Sequence, residues 1–383
     1  MQSEVERARY SRHLLLPEIG AAGQEKFKAA RVLVVGAGGL GSPASLYLAA
    51  AGIGTLGLID HDRIEISNLQ RQILFDTASI GHSKAQTART RLLALNPGIE
   101  VIAHDLELRA ANAIELISSY DLVIDGSDRL GTRYLVNDVC VLLGKPLVSA
   151  AIHRFEGQAM AYVPQLGPCY RCLFPKSGDG VAPNCAEAGV MGVLPGVMGA
   201  LQATEALKII AGIGAPLIGR LLTFDALAMS WQEFTFARRV DCAVCGDHPS
   251  IRNPADSVAA GVAEPGHDFP RGAERLQPAQ LRDRLARAAS GSGAPKLIDV
   301  RAAHEFSPGH LAGAVNIPLA DLPRRLAEIP QDAPIVFICR SGGRSLAALN
   351  LAAAAGRSSL AHLEGGMLAW AADVDSTIVV APL

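Results

Sequence analysis

A strand, a glycine-rich turn and a helix follow one another near the N-terminus, and this segment constrains the fold more than any other. Residues 32–35 are all apolar with a β-branched bias, which predicts a buried strand. Gly36, Gly38 and Gly41 then have the G-x-G-x-x-G spacing, and residues 42–51 are typical of a helix. Such a turn lets backbone N–H groups at a helix N-terminus approach a phosphate. The segment therefore predicts a nucleotide site and leaves the nucleotide open.

Strands and helices continue to alternate as far as residue 150. The strand at residues 55–59 ends in Asp60, in the position where an acidic residue meets a ribose hydroxyl. Further helices are predicted at residues 83–95, 110–118 and 132–143, and further strands at residues 99–103, 122–124 and 146–150. Another helix is predicted beyond this region, at residues 196–211. The alternation predicts an α/β fold with a Rossmann-like, doubly wound parallel sheet. Strand-like pieces within residues 157–163 and 221–236 predict an antiparallel extension.

The composition of the chain changes after residue 248. Residues 249–272 are rich in Pro, Gly, Ala, Asp and Ser without periodicity, which predicts a linker. Residues 273–383 alternate helix and strand again and are numerous enough to fold as a second, smaller α/β domain. The predicted domains are therefore residues 1–248 and 273–383.

Charge and hydropathy argue against several classes of partner. The formal net charge of −2 gives no electrostatic reason to bind nucleic acid or an anionic membrane. No run of about 18 apolar residues predicts a spanning helix. The N-terminal residues 1–7 are charged and lack the apolar core of a signal peptide. We expect a cytoplasmic protein with neither a membrane nor a nucleic acid as partner.

Charged residues around the glycine turn help to choose between nucleotides. An NAD site needs little beyond the turn, the helix N-terminus and the ribose acid. This chain adds the cations Arg12, Arg71 and Lys84 and the strand-end acid Asp128. Cations neutralise a triphosphate and a carboxylate can hold magnesium, although each residue taken singly also fits a solvated surface charge. As a set, they favour ATP with magnesium over NAD.

Four of the seven cysteines form two C-x-x-C pairs, Cys169/Cys172 and Cys242/Cys245. Two such pairs predict a closed tetrahedral zinc site with four sulfur ligands and therefore a structural role. A redox role for either pair is the alternative, but neither pair opens a helix after a strand as in thioredoxin-like folds.

Several motifs together resemble the ThiF/MoeB family of ubiquitin-activating-enzyme-like adenylyltransferases. They are D-H-D-R-I-E-I-S-N-L-Q-R-Q from Asp60, G-H-S-K ending at Lys84 and D-G-S-D ending at Asp128, within a resemblance that runs from about residue 10 to 246. The resemblance implies that nucleotide is bound by Gly39, Asp60, Ser67, Asn68, Leu69, Gln70, Arg71, Lys84, Asp128, Arg129 and Arg12. Family members commonly carry Asn at the position of Arg129.

The same resemblance implies specific roles for some of these residues. Asp60 would hold the ribose, Lys84 would contact the phosphates and Asp128 would bind magnesium. Arg71 is expected to reach across a homodimer interface into the partner's site. The implied reaction is attack of a protein's C-terminal glycine carboxylate on the α-phosphate of ATP, which gives an acyl-adenylate and pyrophosphate. A carboxylate is already anionic, so alignment and charge neutralisation supply the rate.

Cys185 lies in a segment rich in Gly and Pro that resembles the family's crossover loop. A cysteine there can form a thioester or a disulfide with the carrier protein. An inert loop cysteine is the alternative, because a reactive thiolate needs a cationic or helix-terminal neighbour that the sequence does not reveal.

The C-terminal motifs resemble the rhodanese family over the whole second domain. They are L-I-D-V-R-A-A-H-E-F from Leu297, G-H-L-A-G-A-V-N-I-P from Gly309 and E-G-G-M-L-A-W from Glu364. Between them, Cys339 follows an apolar strand and opens a glycine-containing loop that ends at Arg344. Converging N–H groups, a helix N-terminus and nearby arginines favour a thiolate or a persulfide.

Two alternatives compete with sulfur transfer at Cys339. A cysteine phosphatase uses a similar loop but places five residues between Cys and Arg, where this chain has four. A non-catalytic rhodanese-like module usually lacks the cysteine, which is present here.

Together the two domains predict conversion of a carrier's C-terminal carboxylate to a thiocarboxylate. The expected substrate is a small β-grasp sulfur carrier ending in Gly-Gly, and the expected sulfur donor is a cysteine desulfurase or thiosulfate. The architecture resembles fusions that serve molybdopterin synthase; carriers for thiamine, cysteine or tRNA thiolation are the alternatives. A non-catalytic scaffold that binds carrier without releasing pyrophosphate also remains open.

Overall fold

The computed structural model describes residues 3–175, 189–259, 272–288, 294–331 and 333–380. The chain divides into two compact units, residues 1–265 and 266–383. No helix in the described parts of the chain is long and apolar enough to cross a membrane.

A sheet of eight strands, as far as the structure describes the chain, forms the centre of the first unit. The strands are β1 (Arg31–Val35), β2 (Thr55–Ile59), β3 (Glu100–His104), β4 (Leu122–Asp125), β5 (Leu147–His153), β6 (Glu156–Tyr162), β7 (Arg220–Asp225) and β8 (Ser230–Thr235). Their order across the sheet is β3-β2-β1-β4-β5-β6-β7-β8. Strands β1 to β5 are parallel, and β6 to β8 add antiparallel neighbours. The predicted doubly wound sheet with its antiparallel extension is confirmed.

Helices cover the sheet of the first unit. They are α1 (Glu4–Arg9), α2 (Ser11–Leu14), α3 (Gly20–Ala29), α4 (Gly41–Ala51), α5 (Lys84–Leu95), α6 (Ala110–Ser118), α7 (Leu130–Leu143), α8 (Tyr170–Leu173), α9 (Leu194–Ala211) and α10 (Pro254–Ala259). Short 3-10 turns lie at Ile66–Asn68 and Thr77–Ser79. Among the described residues, a large apolar core lies on each face of the sheet.

Strand β1 shows why the central strands are apolar throughout. Successive side chains point to opposite faces, so Val32 and Val34 enter one core while Leu33 and Val35 enter the other. A strand buried on both faces has no polar positions to alternate with, which explains the unbroken apolar run in the sequence.

Two segments differ from the expectations. Strand β5 continues to His153, beyond residue 150, because antiparallel pairing with β6 extends to the His153–Glu156 pair. Within the predicted linker, α10 packs on the first unit: Ile251 is buried, and the Ser257 hydroxyl donates to buried Asp138. The chain therefore stays attached to the first unit beyond residue 249.

The second unit is a smaller parallel sheet. Its strands are β9 (Glu274–Leu276), β10 (Lys296–Asp299), β11 (Val315–Asn316), β12 (Ile335–Ile338) and β13 (Leu360–Leu363), in the order β11-β10-β12-β13-β9. Its helices are α11 (Pro278–Ala288), α12 (Ala303–Phe306), α13 (Leu322–Arg325), α14 (Gly343–Ala354) and α15 (Gly366–Asp373), with a 3-10 turn at Leu326–Glu328. A core on each face of this sheet again explains its apolar strands.

The strand order locates the ligand site of the first unit. β1 lies between β2 and β4, so the connections leaving β1 and β4 run to opposite sides of the sheet. Loops at the carboxyl ends of these strands part there and leave a crevice, which is where ligands bind in open α/β sheets.

Candidate functional site

A crevice of about 380 Å³ opens at the carboxyl ends of β1, β2 and β4. The glycine turn forms its floor, with Gly36 in a left-handed conformation at φ 89°. A Cβ at Gly41 would lie 1.8 Å from the Gly36 carbonyl oxygen, so a side chain there is incompatible with this turn. The turn therefore depends on glycine both for its φ angle and for the close approach of its two ends.

Asp60 lies at the end of β2 and lines the crevice. Its carboxylate accepts hydrogen bonds from the N–H groups of Ala37 (2.8 Å) and Asp62 (2.9 Å). Burial raises the pKa of Asp60 above its usual value because the charged form is desolvated. The carboxyl group is thus fixed between the glycine turn and the following loop, where it can meet a ribose.

Lys84 is the first residue of α5 and is buried at the side of the crevice. Its ammonium group lies 2.8 Å from a carboxylate oxygen of Asp62. Burial alone would raise the pKa of Asp62, but the charge and the hydrogen bond of Lys84 lower it. A phosphate entering the crevice would therefore compete with Asp62 for the ammonium group of Lys84.

Arg71 and Gln72 form another wall of the same crevice. Arg71 donates to the backbone oxygen of Ser67 at 3.0 Å and lines the crevice of its own chain. Its predicted action across a dimer interface stays a prediction. Gln72 is 4% exposed, and no hydrogen bond within the described residues satisfies its Oε1 atom. Gln72 was not among the predicted site residues, although it directly follows Arg71 in the motif that begins at Asp60.

Asp125, the last residue of β4, fixes the loop that follows this strand. This buried carboxylate accepts from the hydroxyls of Ser127 and Ser149 and from the guanidinium of Arg133. The loop presents Asp128, which is exposed and lines the crevice. Arg129 also lines it, but its guanidinium lies 3.1 Å from a Glu107 oxygen.

Other predicted nucleotide residues lie outside the crevice lining. Ser67 and Gln70 are exposed, Leu69 is partly buried, and none of the three lines the crevice in the part of the chain that is described. Asn68 is buried, and its side chain accepts from the Glu65 N–H instead. Arg12 lies on α2 and is exposed. Gly39, Asp60, Arg71, Lys84, Asp128 and Arg129 are the predicted residues that come together.

A divalent cation could be held at the crevice in two places. One is the carboxylate of Asp128. The other is the group formed by Asp60, His61 and Asp62, each of which offers a ligand atom within 4.8 Å of the others. Oxygen ligands of this kind suit magnesium. Asp62 is already engaged by Lys84, so Asp128 is the less encumbered ligand.

The four cysteines of the C-x-x-C pairs meet at one point. Cys169, Cys172, Cys242 and Cys245 have all their sulfur atoms within 4.8 Å of one another. Individual distances are 3.6 Å between Cys169 and Cys242 and 3.3 Å between Cys172 and Cys245. The hydrogen bond between the sulfur atoms of Cys169 and Cys172 is the largest influence on the pKa of Cys172, which it lowers. A set of four thiolate ligands at these separations fits a tetrahedral zinc ion.

In the second unit Cys339 follows β12 and is buried. Its sulfur accepts a hydrogen bond from the N–H of Gly342 at 3.1 Å and lies 3.5 Å from the hydroxyl of Ser345. Gly342 has φ 101°, which turns its N–H inward at the N-terminus of α14. The predicted loop around this cysteine therefore exists, and it supplies donors to a sulfur anion.

Arg344 also forms an ion pair that the sequence did not predict. Its two terminal nitrogens bind both carboxylate oxygens of Glu305, at 2.6 and 2.7 Å. These hydrogen bonds lower the pKa of Glu305. Arg344 therefore connects α12 to the N-terminal turn of α14, next to the loop that surrounds Cys339. Ser345 and His362, whose side chains lie 3.3 Å apart, were not among the predicted site residues. The predicted Cys185 lies outside the described residues.

Comparison with known proteins assigns both units. Residues 10–244 match the model of the ThiF family, and residues 278–373 match the Rhodanese-like domain. The chain belongs to the ThiF family. It is 44% identical to the probable adenylyltransferase/sulfurtransferase MoeZ of Mycobacterium tuberculosis, over 99% of this chain and 96% of the relative. Both resemblances stated for the sequence are thereby confirmed, and this ThiF-family protein is an adenylyltransferase and sulfurtransferase.

Two further relatives cover the ThiF part. A sulfur carrier protein adenylyltransferase of Thermus thermophilus is 53% identical over 66% of this chain and 95% of its own length. A crystal structure of E. coli MccB with ATP is 27% identical, with a TM-score of 0.56, and the match covers 64% of this chain and 75% of MccB.

Proposed function

We propose that this ThiF-family enzyme activates the C-terminal glycine of a small sulfur-carrier protein with ATP and then converts the glycine to a thiocarboxylate. The observation that carries the proposal is the crevice, in which the glycine turn, Asp60, Lys84 and Asp128 surround one cavity. The name of the Thermus relative and the ATP bound by MccB support the choice of substrates.

In the first half-reaction the crevice aligns ATP with the carrier's carboxylate and neutralises the charge of the phosphates. The N–H groups of the glycine turn and the ammonium of Lys84 face the phosphates, and Asp60 holds the ribose. Magnesium, with Asp128 as its ligand, would supply further positive charge to the triphosphate. A carboxylate oxygen of the carrier attacks the α-phosphorus, the bond to pyrophosphate breaks, and no protein nucleophile is consumed.

In the second half-reaction Cys339 carries the sulfur. The Cys339 thiolate attacks the outer sulfur of thiosulfate or of a cysteine desulfurase persulfide, the S–S bond of the donor breaks, and sulfite or the desulfurase thiolate leaves, so that Cys339 carries a persulfide. The terminal sulfur of this persulfide attacks the acyl-adenylate and AMP leaves, which joins carrier and enzyme through an acyl disulfide. A second thiol, for which Cys185 is the candidate, or an external thiol reductant then releases the thiocarboxylate. The zinc ion of the four cysteines would be structural, because four sulfur ligands leave no position open.

We further propose that the carrier ends in Gly-Gly and serves molybdopterin biosynthesis. The same chemistry on carriers for thiamine, cysteine or tRNA thiolation is the alternative. The proposed domains are residues 1–248 and 273–383, and α10 of the segment between them packs on the first unit. The proposed assembly is a homodimer.

The two half-reactions can be separated experimentally. ATP–pyrophosphate exchange that depends on added carrier should be abolished in Asp128→Ala and retained in Cys339→Ala, whereas thiocarboxylate should disappear in both. Carrier mass distinguishes the products, since the thiocarboxylate replaces one oxygen with sulfur. Loss of exchange in a folded Cys339→Ala variant would contradict the division of labour.

Mixed dimers test whether Arg71 acts in its own crevice or in its partner's. Arg71→Ala and Asp128→Ala subunits, co-expressed with different tags and purified as mixed dimers, would regain part of the exchange if Arg71 acts across the interface. No restoration would count against an arginine supplied by the partner subunit and would favour action in its own chain, whose crevice Arg71 lines.

A further inference from the structure

In the second unit, three polar side chains follow one another from the sulfur of Cys339: Ser345, His362 and Glu364. Cys339 Sγ lies 3.5 Å from Ser345 Oγ, and Ser345 Oγ lies 3.3 Å from His362 Nδ1. On the other side of the imidazole ring, His362 Nε2 lies 3.5 Å from Glu364 Oε2. Cys339, Ser345 and His362 are each at most 2% exposed.

The fold explains why these side chains meet. His362 is the third residue of β13, and Leu360, on the same face of the strand, packs in the core that α14 covers. Ser345 is in the first turn of α14, directly after the loop that surrounds Cys339. The relay residues thus come from a central strand and the helix packed on it, which hold their positions better than a loop would.

We propose that Ser345 and His362 form a proton relay that withdraws the proton from the Cys339 thiol. The inference rests on the proposed sulfur transfer at Cys339 for its biological meaning. The thiol donates its proton to Ser345 Oγ, and the hydroxyl proton moves to His362 Nδ1. Sulfur gains one negative charge and the imidazole one positive charge, so the step balances without another reactant. Ser345 and His362 are positioning residues, because Cys339 alone touches the transferred sulfur.

The position of Glu364 supports this direction of proton transfer. Its Oε2 atom is buried, and no hydrogen bond in the described part of the chain satisfies it. A buried carboxylate oxygen of this kind is stabilised when a cation forms beside it. In the neutral tautomer that carries its proton on Nε2, His362 directs this N–H toward Glu364, and the lone pair of Nδ1 can accept from the Ser345 hydroxyl.

Other polar groups around the relay compete for its protons or act on the charges that it forms. Ser345 also donates to the Gly342 carbonyl oxygen at 2.8 Å, so its hydroxyl proton has two acceptors. Gly342 N–H stabilises the thiolate once it has formed. Arg275, exposed on β9, is in register with His362 and opposes a positive charge on the imidazole. The Arg344–Glu305 ion pair lies at the loop and is neutral overall.

Alkylation of Cys339 by iodoacetamide tests the relay in the full-length protein. The rate is followed by mass spectrometry of the Cys339 peptide between pH 5 and pH 10, which separates it from the other cysteines. His362→Asn and Ser345→Ala should each lower the rate at pH 7 by about tenfold and move the midpoint upward by about one pH unit. The double variant should be no slower than either single variant, because both remove the same path.

Controls make the result decisive. His304→Asn, an exposed histidine of the same unit, should leave the profile unchanged. Unchanged midpoints in folded His362→Asn and Ser345→Ala would overturn the relay, as would additive effects in the double variant. The outcome is independent of sulfur transfer: shifted midpoints without a persulfide on Cys339 would refute the proposed function and leave the relay standing. Sulfur transfer with unshifted midpoints would do the reverse.

Discussion

At the residue scale, three of the predicted cations already form ion pairs with carboxylates of the same chain. Lys84 is bound to Asp62, Arg129 to Glu107 and Arg344 to Glu305. Sequence motifs identified the cations but not these anionic partners, because each pair joins residues that are 22 or more positions apart. The partners matter for function, since a ligand must replace them or act beside them.

The Glu305–Arg344 pair predicts a specific pH dependence of stability. Its hydrogen bonds hold the pKa of Glu305 below its ordinary value of 4.5. The ionised carboxylate therefore stabilises the second unit fully above that ordinary value, and the stabilisation is lost as the pH falls through the lower, folded-state pKa. Glu305→Gln should lower the free energy of unfolding at pH 7 by about 2 kcal/mol and reduce the acid sensitivity.

Tryptophan fluorescence can measure this effect for the second unit. The chain has two tryptophans, so a Trp231→Phe background leaves Trp370 as the reporter. Glu328→Gln is the matched control, because Glu328 forms an exposed pair with Arg325 and should change stability far less. Equal losses in the two variants would show that the buried pair contributes nothing special.

At the element scale, our proposal makes the turn between β1 and α4 the element on which nucleotide binding depends. Gly41 is the first residue of α4, and helix propensity alone favours alanine there by about 1 kcal/mol. The close approach of Gly41 to the Gly36 carbonyl reverses this preference. The helix could be predicted from its small residues, but this contact depends on the path of the turn.

Gly41→Ala should therefore weaken ATP binding by at least about tenfold, because the Gly36 carbonyl has to move and distort the phosphate turn. Isothermal titration calorimetry with ATP and magnesium measures the affinity. Gly196→Ala in α9 is the control, since a Cβ there has nothing within 4 Å. Normal ATP affinity in Gly41→Ala would mean that the turn does not hold the phosphates.

At the scale of the whole molecule, the four-cysteine cluster connects distant parts of the first unit. It joins the α8 segment to residues 242–245, about seventy positions later, so one metal ion would restrain both. Closing a loop of this length gives a large stabilisation in chain-entropy terms. The cysteine spacing predicted the ligands, and the fold brought the two pairs together.

Purified protein should therefore contain one zinc ion per chain by elemental analysis, and Cys245→Ser should lose it and unfold at a lower temperature. The matched control is Cys140→Ala. Cys140 is buried in the apolar core and is not part of the cluster, so this variant should lose stability while keeping its zinc. Full zinc content in Cys245→Ser would argue against four sulfur ligands.

Sequence alone determined what depends on short-range patterns. Apolar runs placed the strands, the helix predicted at residues 83–95 is α5, and the C-x-x-C spacing selected four candidate ligands, because each signal lies within a short stretch of the chain. The tertiary structure decided what depends on distant contacts. It paired Lys84 with Asp62, buried Gln72 in the crevice wall, folded α10 onto the first unit and placed His362 behind Cys339. These partners are separated along the chain, and packing of strands and helices alone brings them together.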